Sequence, residues 1–164
     1  MTIRTRTVEY THQDVVLEGY LAWDDAHSGP RPCVIISHAF RGREAFECQR
    51  AEDLAALGYV GFALDLYGKG VLAETTEEAS ALMSGFMEDR PLLQSRLLAA
   101  VDVAREQPEV DAENLAAMGY CFGGLCVLDM ARINAPLAGV VSFHGLLVGP
   151  GNTAGTRISP RVLA

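Results

Sequence analysis

Short apolar runs alternate along this chain with stretches of helical periodicity, and that alternation limits the possible folds more than any other feature. "CVIIS" (33–37), "YVGFALD" (59–65), "NLAAMGY" (114–120) and "LAGVVSF" (137–143) are each short enough for a buried strand. Between them, residues 44–57 carry Ala51, Leu54, Ala55 and Leu57 as an apolar stripe, with Gly58 as a natural stop. The stretch 75–88 also reads as helix. Pro91 suits a first helical turn, with Leu93, Leu97, Val101 and Ala104 along one face and Pro108 closing it. Residues 123–134 read as a further helix. Ahead of all these, "TVEYTHQDVVLEGYLAWDD" predicts two strands joined around His12 to Asp14. Strands alternating with helices imply βαβ units. The expected fold is a single α/β domain over 1–164, doubly wound, with a mostly parallel sheet and helices on both faces.

Charge narrows the partners. A net charge of −8 over 164 residues disfavours phosphate backbones, so nucleic acid is not expected. The acidic residues Glu74, Glu77, Glu78, Glu88 and Asp89 read as solvated helix faces. No apolar run approaches a membrane span, and "MTIRTRTVEYTHQD" lacks the apolar core of a signal peptide. The expected compartment is therefore the cytoplasm, where thiols stay reduced. Cys33, Cys48, Cys121 and Cys126 have neither disulfide-scaffold nor zinc-type spacing.

In parallel sheets chemistry gathers at the carboxyl ends of strands. Four residues with chemical potential fall there: His38, Asp65, Cys121 and His144. Cys121 stands in "GYCFGG", with Gly119 two before it and Gly123 two after. A strand turning sharply into a helix forces its corner residue into strained geometry and wants small residues on either side. The pattern G-x-C-x-G is thus a thiol version of the nucleophile elbow. The corner lies at a helix N-terminus, whose dipole favours negative charge. The amide of Phe122 becomes one oxyanion donor.

Each reading has a plainer rival. Cys121 could be a small core residue, with the glycines serving only close helix–strand packing. Cys126 reads as packing, and Cys33 and Cys48 as buried or incidental. Asp65 reads as a turn residue, and His12 and His27 as exposed.

"GYCFGG" after a strand, "GYVGFALDLYGKG" some fifty residues earlier, and "CVIISHAFRGREAFECQRAEDLAALGYV" together resemble the dienelactone hydrolase family of α/β-hydrolases. The resemblance implies a sheet of the α/β-hydrolase type and cleavage of a small carboxylic ester or lactone. The route is an acyl-thiol intermediate on Cys121, and no metal or organic cofactor is implied. It places the second oxyanion donor at the backbone of Phe40. His38, Ala39 and His144 then line the site, with His38 as a loop-shaping residue. Arg90, or equally Arg96, is a candidate contact for a substrate carboxylate.

Two departures from the family pattern follow. Where dienelactone hydrolases proper carry a glutamate that contacts the resting cysteine, this chain has Ala39. The family's triad aspartate and histidine come later than "RISPRVLA", which reads as the start of a strand. The expectation is a fragment of a longer protein which, if it folds unaided, has an exposed sheet edge covered by homodimerisation or aggregation. Fold does not imply function, so a non-catalytic binding protein on the same fold is the alternative. Thiol-based redox sensing is a third reading.

Overall fold

The computed structural model describes residues 2–164. Seven strands form one sheet in the order β1-β2-β4-β3-β5-β6-β7. β1 (Ile3–His12) and β2 (Val15–Asp24) make the expected hairpin, and β2 joins β4 (Val60–Ala63) antiparallel. From β4 onward every pairing is parallel, through β3 (Arg31–Ser37), β5 (Val110–Tyr120), β6 (Gly139–Phe143) and the edge strand β7 (Arg161–Leu163). β5 starts earlier than the expected residue 114. The β3–β5 register shifts between Arg31 and Cys33, with the extra residues on β5, so that Val110 pairs with Arg31 and Leu115 with Cys33.

Helices cover both faces because the strands are apolar on both. Successive residues point to opposite sides, so Leu21, Ile35, Phe62 and Ala117 enter one core while Ala22, Ile36 and Ala63 enter the other. The second core packs under α1 (Ala45–Ala56) through Ala51 and Ala55. α1 lies so close to β4 that a side chain at Gly61 would meet the Ala51 backbone at 2.4 Å. The first core packs under α2 (Thr76–Glu88), α3 (Arg90–Arg105) and α4 (Phe122–Arg132).

Helix starts follow local chemistry. Glu44 and Glu47 form a reciprocal capping box on α1, and Thr75 and Glu78 do the same on α2. Asp89 accepts from the Leu92 N–H at 3.0 Å, and Pro91 fits the first turn of α3. The acidic run at 74–78 and Glu88 is exposed, as the sequence predicts. His12 is not free: it is half-buried and its Nδ1 accepts from Arg96 Nε at 3.4 Å. No described helix is long and apolar enough to cross a membrane.

Candidate active site

β3 and β5 are neighbours, so the loop after β3 faces the turn after β5. In that turn Cys121 has φ 54° and ψ −115°, a left-handed corner that a side chain rarely adopts. Its N–H donates to the Phe143 carbonyl at 3.1 Å, and its own carbonyl accepts from Gly124 and Leu125 at the start of α4. The flanking glycines are required by contact. A Cβ at Gly119 would stand 2.1 Å from the Gly123 carbonyl oxygen, and one at Gly123 would stand 2.1 Å from the Ser37 carbonyl oxygen. The thiol-bearing residue is half-buried, while Cys126 one turn later is fully enclosed.

The loop after β3 is pinned at three successive carbonyls, those of Ala39, Phe40 and Arg41. His38 is fully buried, and its Nε2 accepts the Leu66 backbone N–H at 3.2 Å. The ring proton therefore sits on Nδ1, which donates to the Ala39 carbonyl at 2.6 Å. Gly42 N–H donates to that same carbonyl at 3.3 Å. Burial pushes the imidazole below its ordinary range, against the pull of the Ala39 bond and of Asp65. The neutral tautomer suits its contacts.

On the other side of the loop stands Glu47, 3% exposed. Its carboxylate accepts the backbone N–H of Glu44 at 2.9 Å, yet burial raises its pKa. Among the described residues, neither the Phe40 nor the Phe122 N–H donates to a protein acceptor.

Tyr67 joins the two halves. Its hydroxyl donates to the Phe40 carbonyl at 2.9 Å. Its ring lies parallel to Phe122 at 6.4 Å and edge-on to His38 at 4.9 Å. Asp65 supports the turn below by accepting from the N–H groups of Tyr67 (2.9 Å), Gly68 (3.1 Å) and Glu18 (3.1 Å). That matches the turn role expected of it.

His144 is exposed on the loop after β6, at φ 44°, with its ring 6.2 Å from that of Tyr120. Arg90 lies inside the fold. Rather than facing solvent, it is 7% exposed and grips Asp129 of α4 through two hydrogen bonds. Its remaining contact is the Val148 carbonyl at 3.1 Å. Arg96 is likewise 6% exposed and donates to the Leu66 carbonyl at 2.8 Å.

Tyr67, Glu47 and Asp129 are absent from the sequence-derived site. Glu47 carries a faint signal, an acidic residue three after Glu44 at a helix start. Asp129 carries another, a single charge inside the apolar "LCVLDMA".

A mainly parallel sheet in this order, with a strained corner residue between β5 and a helix, defines an α/β-hydrolase fold. The model of the dienelactone hydrolase family matches residues 17–164. The chain belongs to that family. The solved structure called m3DLH superposes with a TM-score of 0.93 at 38% identity, over 99% of this chain and 68% of its own. A dienelactone hydrolase-like promiscuous phosphotriesterase from metagenomic libraries gives 0.92 at 37% identity, over 99% and 67%. A protein of Methylorubrum extorquens named "Putative carboxymethylenebutenolidase" is 29% identical over 144 residues, 87% of this chain and 49% of the relative. The chain thus spans about half the length of such curated relatives.

Proposed function

We propose that the protein hydrolyses small carboxylic esters or lactones, with Cys121 as the nucleophile. The observation that carries this reading is the strained Cys121 corner at the mouth of α4, set beside a loop pinned at its Ala39, Phe40 and Arg41 carbonyls. Family membership and the names of its relatives supply the substrate class.

The Cys121 thiolate adds to the substrate carbonyl carbon, and the carbon–oxygen π electrons move onto oxygen. A trans peptide aims its N–H opposite to its carbonyl. Because the Ala39 carbonyl is held by His38 and Gly42, the Phe40 N–H is held too, on the other edge of the same plane. It and the Phe122 N–H stabilise the oxyanion. Collapse expels the alkoxide, which takes up a proton, and leaves an acyl thioester. Water, deprotonated by a general base, then adds to the thioester carbonyl and releases the acid and the thiol. His38 is not that base, because both ring nitrogens are engaged and the ring is enclosed.

The test is hydrolysis of a p-nitrophenyl ester by the intact protein and by Cys121→Ala. A loss of at least about a thousandfold is expected, with a trapped acyl group mapping to the Cys121 peptide. Retention of more than a few per cent by the variant, or acylation elsewhere, refutes the reading.

A further inference from the structure

Tyr67 is a buried polar side chain that touches both halves of the site, and nothing in the steps above uses it. Its hydroxyl sits at hydrogen-bond distance from the carbonyl of Phe40, 2.9 Å away. That carbonyl belongs to the peptide following the one whose N–H serves as donor. The donor peptide is already held at its own carbonyl by His38 and Gly42. With both flanking carbonyls anchored, the backbone on either side of the Phe40 Cα cannot rotate independently. The next peptide is anchored as well, since Ala73 N–H donates to the Arg41 carbonyl at 2.9 Å.

The ring fixes the hydroxyl in turn. It is packed between Phe86 at 5.9 Å and Phe122 at 6.4 Å, nearly parallel to both, with His38 edge-on. Phe122 is the residue whose amide is the second donor. Burial, with the Cys121 and Cys126 thiols nearby, pushes the phenol above its usual range, so it remains a neutral donor.

We infer that Tyr67 is a positioning residue of the oxyanion hole. It acts through the Phe40 carbonyl, and it fixes the Phe40 donor relative to the Phe122 donor without touching substrate. The inference rests on the hydrolase reading for its catalytic consequence, but the bracing itself does not.

The test is Tyr67→Phe in the intact protein, which keeps the ring and removes only the hydroxyl. Deleting a whole oxyanion donor costs about 100- to 1,000-fold in kcat. Loosening one should cost about 10- to 100-fold for a p-nitrophenyl ester, with KM within about twofold. Alkylation of Cys121 by iodoacetamide forms the sulfur–carbon bond as iodide leaves and creates no oxyanion. Its rate should therefore stay within about twofold. Tyr10→Phe removes another buried hydroxyl, one bonded to the Asp65 carbonyl, and should leave kcat within about twofold. Equal losses in the two tyrosine variants, or alkylation falling in step with hydrolysis, would overturn the inference.

Amide hydrogen exchange provides an arm that needs no turnover. In Tyr67→Phe the Gly42 and Ala73 amides should exchange about tenfold faster, since they are bonded to the loop that the hydroxyl anchors. Unchanged exchange at both sinks the bracing, even in a protein that hydrolyses the ester. Faster exchange in a protein without ester turnover sustains the bracing and rejects the hydrolase reading instead.

Discussion

The guanidinium of Arg90 meets the carboxylate of Asp129 side-on, Nε to Oδ2 at 2.8 Å and Nη2 to Oδ1 at 2.7 Å, tying the first turn of α3 to the last turn of α4. Arg132 adds a third contact to Asp129 at 3.0 Å. Asp129 is fully buried, so removing it strands one arginine inside the fold and leaves another without its partner. Asp129→Ala should cost about 3–5 kcal/mol in denaturant unfolding. Replacing both members by apolar residues, as in Arg90→Met with Asp129→Leu, should cost clearly less than that single change. A double variant weaker than Asp129→Ala would mean that the pair itself holds the helices together.

Two glycine replacements should move stability in opposite directions. At Gly123 a methyl group would run into the Ser37 and His38 carbonyl oxygens, both backbone atoms of β3 and its loop. Gly123→Ala should therefore lose at least about 3 kcal/mol and most of the hydrolysis. Gly85 lies exposed within α2, with open space where a Cβ would go. Gly85→Ala should raise stability by about 0.5–1 kcal/mol. Thermal melts of the two variants decide both.

The pH dependence of stability has two opposed contributions at the site. Burial raises the Glu47 pKa above 4.5, so the folded state binds more protons there, and stability falls as pH climbs through that window. Burial lowers the His38 pKa below 6.5, so the unfolded state binds more protons, and stability rises as pH climbs towards 6.5. Glu47→Gln keeps a capping side chain and removes only the first contribution. Its stability should rise more steeply than wild type as pH climbs from about 4.5 towards 6.5. Parallel profiles would show that Glu47 does not titrate abnormally.

Thiol chemistry should distinguish the four cysteines in the native protein. Burial pushes the Cys33 thiol up to about 12 and the Cys126 thiol higher still. Cys48 is half-buried and accepts from Arg43 at 3.3 Å, with burial again raising its pKa. Brief treatment with iodoacetamide near neutral pH should label Cys121 first, with Cys33 and Cys126 labelled only after unfolding. Peptide mapping that found Cys33 or Cys126 labelled ahead of Cys121 would contradict the burial pattern.

The layers of this fold are legible in the sequence because the central strands are buried on both faces. Ile35 and Ile36, or Phe62 and Ala63, leave no polar alternation to confuse with a surface helix. The elbow is legible because its glycines are required within five residues of one another. The oxyanion brace is not. Tyr67 and Phe40 are 27 positions apart, and Arg90 and Asp129 are 39 apart, with no spacing rule to link them. The Asp129 partner of Arg90 is hidden from the sequence for the same reason. An arginine looks solvated until the carboxylate that meets it inside is located.

The adjacency of β3 and β5 also governs when the site comes into being. Phe40 and Phe122 stand about eighty residues apart along the chain, and only the β3–β5 pairing brings their loops together. Closing so long an intervening loop is entropically costly and comes after local helices and the β1–β2 hairpin have had time to form. A peptide cut out around the elbow would hold a cysteine and one amide but no companion donor. Recovery of hydrolysis during refolding would therefore run as a clock for the assembly of the whole sheet, lagging behind the return of helical signal.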